Sequence, residues 1–387
     1  MTMTMNFNFY RKLIGAVLLL GTVIVIGAPE RSFAEVPSQL DDQTFWRLMN
    51  EMSEKGAVFP SENLVSNEPN FQVVLTKLKQ RVMPGGVYLG VGPEQNFTYI
   101  AALKPSIAFI IDIRRQNLLQ HLMYKAIFEM ADDRATFLSL LFSRPRPEGL
   151  NQDSTVEALL NAYKAVPASA RLAESTRQRI KDDLVTKHGF ALNADDLAVL
   201  DHIHHIFELY GTLTAYGSTL EANDLTKGPA NGNFTKIFMA TDDQGTNRNF
   251  LASEDIFRSI KDMQRHNLIV PIVGDFAGDK ALKQIANYLR EVKATVHVFY
   301  ASNVESYLFR AAPGAPNGGA QKFYENVAAL PLDPSSIFIR VSNNDAFKQV
   351  YPGYSTHLGS IAETLQAFKE NRLHGTRDVF ALPSTEH

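Results

Sequence analysis

Apolar and polar positions change rhythm several times along the chain. Between Gln43 and Lys55, Phe45, Trp46, Leu48, Met49 and Met52 recur on a helical period. Phe71–Val82 repeats that pattern until Pro84-Gly85-Gly86 stops it. From Val87 the period shortens. Val87-Tyr88-Leu89 reads as a buried strand running into the turn Gly90-Val91-Gly92. Phe97–Leu103 reads as a short helix, Ser106–Asp112 as a continuous apolar strand and Asn117–Met130 as a helix. Strand, helix, strand, helix is the rhythm of a parallel sheet covered on both faces. Residues 132–230 carry mainly helical signals, with Ile180 and Leu184 on one face of Thr176–His188 and Leu197, Leu200, Ile203 and Phe207 on one face of Ala194–Tyr210. The stretch 212–234, rich in Gly, Thr and Asn, reads as a long loop. The α/β rhythm then returns. Strands are expected at Lys236–Ala240, Leu268–Val273, Thr295–Tyr300, Ile337–Val341 and Val379–Leu382, with helices at Ser253–His266, Asp279–Val292 and Ser360–Asn371.

The pattern predicts an α/β protein with a Rossmann-like, doubly wound and mostly parallel sheet of about seven strands. Its parts are a helical lead-in (35–86), the first half of the sheet domain (87–144), a helical insertion (145–234) and the second half (235–387).

Residues 1–34 follow a different logic. Arg11 and Lys12 precede an apolar run from Leu13 to Ala28, and Ser32-Phe33-Ala34 places small residues at −3 and −1. These are the parts of a secretory signal peptide, with cleavage expected after Ala34. The alternative is an anchor formed by the uncleaved N-terminal helix, since the run is at the short edge for a membrane span. No stable membrane insertion is expected of the chain beyond it. Composition narrows the field further. With 38 Lys+Arg against 41 Asp+Glu, the net charge of −3 gives no footprint for nucleic acid. The absence of cysteine excludes disulfides, a thiol nucleophile and Cys-ligated metal. Export without cysteine fits a bacterial periplasmic or extracellular protein.

The sharpest chemical signal is Gly90-Val91-Gly92-Pro93-Glu94-Gln95-Asn96, between a strand and a helix, with Asp112 ending the next strand. Glycines let the backbone turn tightly and let a ligand approach. The following helix start offers unpaired N–H groups. An acidic group 20 residues after Gly92 can accept hydrogen bonds from ribose hydroxyls. Gln95 stands where the dinucleotide fingerprint has its third glycine, which disfavours NAD.

The arrangement resembles motif I of class I S-adenosylmethionine-dependent methyltransferases. Gly90 and Gly92 match its first two glycines and Asp112 its ribose carboxylate. Tyr88 stands where that family has an acid, and Glu94 where it has the third glycine. The chain as a whole is similar to an uncharacterised family of exported bacterial proteins with such a fold. The resemblance implies S-adenosylmethionine, a nucleoside-type small molecule, as cofactor. Its site would be Gly90, Gly92, Glu94, Asn96, Asp112 and Arg114, with Asp242 (or Asp243) after strand three contacting adenine. It implies Asp275, after strand four, as the residue facing methyl transfer, acting as base or orienter.

Other groups carry less. Arg114 and Arg115 can bind a carboxylate or phosphate, or form salt bridges with Glu129, Asp132 or Asp133. His202 and His205 share a helix face, but a third ligand is missing and His204 is expected in the core, so no metal is expected. Ser143-Arg144-Pro145-Arg146-Pro147 reads as a loop. Asn303-Val304-Glu305, Asn343-Asn344-Asp345 and Tyr351-Pro352-Gly353-Tyr354 are candidate substrate loops. No nucleophile-elbow or Walker sequence is present. Two readings stay open: a methyltransferase acting on an unknown acceptor, and a non-catalytic ligand-binding or surface protein that retains the fold with an altered cofactor site.

Overall fold

The computed structural model describes residues 35–220, 232–310, 318–342 and 355–383. Six strands form a single sheet: β1 Val87–Gly90, β2 Ile107–Asp112, β3 Ile269–Val273, β4 Val296–Ser302, β5 Leu332–Ser342 and β6 Ser355–Ser360. Their order is β3-β2-β1-β4-β5-β6. The first five are parallel, and β6 runs antiparallel to β5 with Ile339 opposite Leu358. Every residue of β1, β2 and β3 is buried, as strands covered on both faces must be. The order is consistent with a Rossmann-like α/β fold, and it reverses direction between β1 and β4.

Two rows of helices supply the cover. Asp42–Met52, Ala281–Glu291, Gly318–Ala328 and Ile361–Lys369 pack in succession along one row. Leu75–Arg81, Gln95–Leu103, Glu254–Arg265 and Arg115–Met130 form the other. Side-chain caps mark many starts. Asp41 accepts the Thr44 N–H at 2.7 Å, and Asn193 and Asp196 form a capping box that opens Ala194–Tyr210. The helices of the 145–234 stretch pack on Arg115–Met130 and Arg134–Phe142, and the described residues form one unit with them.

Five of the seven expected strands appear as β1–β5. The other two are helices, and β6, which the pattern does not predict, makes the sixth strand. Lys236–Ala240 lies in the helix Phe234–Met239, where Asn233 caps the Lys236 N–H at 3.0 Å. Val379–Leu382 overlaps the helix Thr376–Ala381. Short apolar runs are buried equally well by either period; the Asn233 cap decides for Phe234–Met239, whereas Thr376–Ala381 starts without a side-chain cap. β6, Ser-Thr-His-Leu-Gly-Ser, has one large aliphatic residue and is held by edge pairing to β5. The expected signal segment 1–34 and the loop candidates Asn343–Asp345 and Tyr351–Tyr354 lie outside the described residues. No described helix is long and apolar enough to cross a membrane.

Candidate functional site

A cavity of about 500 Å³ opens at the carboxyl ends of β1, β2, β3 and β4. This is the crevice beside the β1/β4 reversal, where open α/β sheets bind ligands. The segment 53–68 closes it from outside. Glu54 N–H bonds the Val273 carbonyl at 3.0 Å and Ala57 N–H bonds the Ile113 carbonyl at 2.7 Å, so this segment follows the ends of β2 and β3. It then places Phe59, Asn63 and Val65–Glu68 on the cavity wall.

The turn after β1 is held by its own side chains. Asn96 donates from Nδ2 to the carbonyls of Val91, Gly92 and Pro93 at 3.0, 3.2 and 2.7 Å, and its Oδ1 accepts the Tyr88 hydroxyl at 2.8 Å. A Cβ on Gly90 would collide with Asn96 Oδ1 and the Tyr88 ring. Gly90 therefore makes room for protein rather than ligand. Gly92 sits at φ +80° with open space where a Cβ would be, and it lines the cavity. Glu94 is buried, with Oε1 accepting the Ser66 N–H at 3.1 Å. Gly90, Glu94 and Asn96 are thus scaffold behind the cavity and not part of its wall.

Asp112 and Arg114 do line it. Asp112 Oδ1 accepts the Arg114 backbone N–H and Nε–H, both at 2.9 Å, and Oδ2 accepts Nη2–H at 2.7 Å. Arg114 Nη1 also donates to the Glu62 carbonyl. Arg114 thus takes three of the roughly four lone-pair positions of this carboxylate. Arg115 turns away and pairs with Asp196 at 2.6 and 2.7 Å, joining the insertion to this edge.

Residues 63–380 match the family described as a domain of unknown function, DUF7790. The chain belongs to this family. No curated protein matches it. The DUF7790 match takes in Asn63–Glu68 and all six strands, so nearly the whole cavity wall lies inside it, while Phe59 and the first helix lie outside.

Within the DUF7790 domain, several expected positions change. Asp242 follows a helix, not a strand. It accepts the N–H groups of Gln244 and Thr246 at 3.0 and 2.8 Å, pairs with Arg248 and is not on the cavity wall. Asp243 accepts the Thr76 hydroxyl at 2.9 Å. Asp275 lines the cavity and is exposed, but it follows strand three of the sheet rather than strand four. The residues after strand four are Asn303 and Val304, both on the wall. Glu305 is buried in an ion pair with Arg340 at 2.6 Å and accepts the Tyr324 hydroxyl at 2.6 Å. His202 pairs with Glu62 at 2.9 Å. His204 is buried against the Leu140 carbonyl at 3.0 Å, and burial lowers it to about 4. Arg146 pairs with Asp133 at 2.7 Å.

Sequence reasoning missed Glu68, Tyr300 and Ser302 as cavity groups. Glu68 Oε2 accepts the Tyr300 hydroxyl at 2.6 Å and Gln95 Nε2–H at 2.7 Å, and Oε1 accepts the Ser302 hydroxyl. Burial pushes the Glu68 carboxyl up, against these three donors. The polar run Ser66-Asn67-Glu68 just before the apolar helix Phe71–Arg81 was the one local signal for it.

Proposed function

We propose that this protein is exported and binds a nucleoside-type small molecule, S-adenosylmethionine first among candidates, in the cavity at the β1/β4 reversal, and positions it for methyl transfer. The observation that carries the reading is the placement of Gly92 and Asp112 side by side on one cavity, at the carboxyl ends of adjacent strands. The wall carries three carboxyl groups, on Glu68, Asp112 and Asp275, against the single guanidinium of Arg114. That balance favours a ligand with positive charge over the pyrophosphate of a dinucleotide. S-adenosylmethionine, when bound, supplies an electrophilic methyl group on a sulfonium.

The chain's own residues would then divide the work. The open space over Gly92 admits the ligand against the backbone. The remaining lone-pair position of Asp112 accepts one ribose hydroxyl. Asp275, after strand three, takes the place the resemblance gives to the adenine contact. Asn303, after strand four, takes the place facing methyl transfer. Catalysis there is mainly orientation of the acceptor.

Thermal unfolding in excess S-adenosylmethionine, S-adenosylhomocysteine or NAD tests this. A ligand at ~100 times its Kd adds about 2.7 kcal/mol, a shift of a few degrees. An adenosyl ligand is expected to shift the wild type and to shift Asp112→Asn much less. No shift at millimolar ligand would sink the reading. A second reading, binding without turnover, is favoured by the Arg114 side chain bonding both oxygens of Asp112. It predicts the same thermal shift with no methyl loss from the ligand in an acceptor screen.

A further inference from the structure

Five of the seven buried carboxyl groups among the described residues come with a cation. Asp112 has Arg114 at 2.7 Å, Asp196 has Arg115 at 2.6 Å, Glu254 has Arg134 at 2.8 Å and Glu305 has Arg340 at 2.6 Å. Asp242 has Arg248. Among the described residues, Glu68 and Glu94 are the buried carboxyls with neutral partners alone. Of these two, Glu68 lines the cavity.

The Glu68 partners are three neutral donors from two elements: Gln95 on the helix after β1, and Tyr300 and Ser302 on β4. The Gln95 amide N–H₂ can only donate, and the set as a whole suits an ionised carboxylate. Hydrogen bonds hold that charge in place without neutralising it, and an uncompensated buried charge is costly. Tyr88 on β1 and Tyr99 on the helix after it also face this carboxyl and add no positive charge. The wall also holds the Asp112–Arg114 pair and Asp275, and among the described residues that line it Arg114 is the one cation. The cavity wall also carries aromatic rings, with Phe59 and Tyr307 edge to face at 5.7 Å, and the Arg310 guanidinium already lies over the Tyr307 ring at 4.7 Å. A carboxylate beside aromatic rings is the surrounding that recognises an organic ammonium group.

We propose that the Glu68 end of the cavity binds a protonated amine, with Glu68 as its counter-ion and the rings of Phe59 and Tyr300 as its walls. Joined to the methyl-transfer reading, on which this part rests, the amine is the class of the methyl acceptor: it would give its proton to Glu68, which Tyr300 and Ser302 hold at the end of strand four, and its freed lone pair would take the methyl group as the sulfonium is released as a thioether.

Calorimetric titration at pH 7 with benzylamine and its neutral counterpart benzyl alcohol tests the site. Benzylamine is expected to bind at least tenfold more tightly than benzyl alcohol. Glu68→Gln is expected to lose that tenfold preference and leave benzyl alcohol unchanged. Equal binding of the two probes, or an unaffected Glu68→Gln, overturns the proposal. If Glu68→Gln fails to fold, Ser302→Ala keeps the carboxylate with one donor fewer and is expected to weaken benzylamine severalfold, and no change there overturns it too. S-adenosylmethionine run in parallel separates the two ideas. Binding of the nucleoside without benzylamine overturns the amine site alone. Binding of benzylamine without the nucleoside supports the amine site and removes the methyl-transfer reading.

Discussion

A carboxyl group sealed from water titrates where its surroundings put it. Glu94 has one donor, the Ser66 N–H, and its Oε2 is buried without a partner, so burial pushes it up to about 7. In the unfolded chain it ionises near 4.5. Between those values the folded protein holds a proton that the unfolded chain has released. Stability therefore falls as pH rises from about 4.5 to about 7, and this group costs nothing further above that. Each unit of such a shift is worth about 1.4 kcal/mol. Glu94→Gln removes the penalty, so the difference in unfolding midpoint between variant and wild type should grow across this interval in the variant's favour. Parallel pH profiles for the two proteins would refute the assignment. The same carboxyl ties the turn after β1 to Ser66 on the lead-in.

At the scale of the element, the helix Gln95–Leu103 has almost no solvent face, since seven of its nine residues are buried. Phe97 is its anchor. His121, Tyr124, Phe128 and Phe250 stand edge to face around it at 5.3–5.5 Å. Phe97→Ala should cost about 3–5 kcal/mol in urea or thermal unfolding, from lost burial plus the cavity left behind. A loss below about 1 kcal/mol would mean that the aromatic cluster re-closes over the gap. This helix, the strands β1–β5 and Ala194–Tyr210 were legible because each carries its period over enough residues. Lys236–Ala240 and Val379–Leu382 were not, being too short for a period to show. The site was legible in part for a related reason. Gly92, Asp112 and Asp275 sit next to strand ends, which the pattern marks. Glu68 meets Tyr300 across 232 positions, and no local spacing records such a meeting. Nor does spacing reveal that Arg114, two residues from Asp112, would claim most of its carboxylate.

The molecule as a whole is tied together by a cluster of charges away from the cavity. His188, after the π-helical turn Asp182–Lys187, bonds Asp42 of the first helix at 2.8 Å and Glu129 of the central helix at 3.0 Å. Lys125 reaches Glu129 at 2.6 Å, and Lys187 bonds both Glu129 and Asp183. Glu129, Asp183 and His188 lie close enough to share a metal ion, with ligand atoms within 4.8 Å of one another. The two ammonium groups already supply the positive charge, so the cluster works as an ion network. Its carboxylates, set against burial, raise His188 to about 9, whereas the unfolded imidazole titrates near 6.5. His188 is therefore protonated in the folded protein at neutral pH. Its contribution is fully present below about 6.5 and is lost as pH rises through about 9. His188→Gln should lower the unfolding midpoint most at pH 6, with the gap to wild type closing toward pH 9.5. Because His188 joins the insertion to two other helices, limited proteolysis of the variant at pH 6 should cut first within 170–210. A chelator should leave the wild-type midpoint unchanged. A chelator-induced drop would instead assign the three ligand-type side chains to a metal, and a gap that does not close with rising pH would remove the imidazolium from the account.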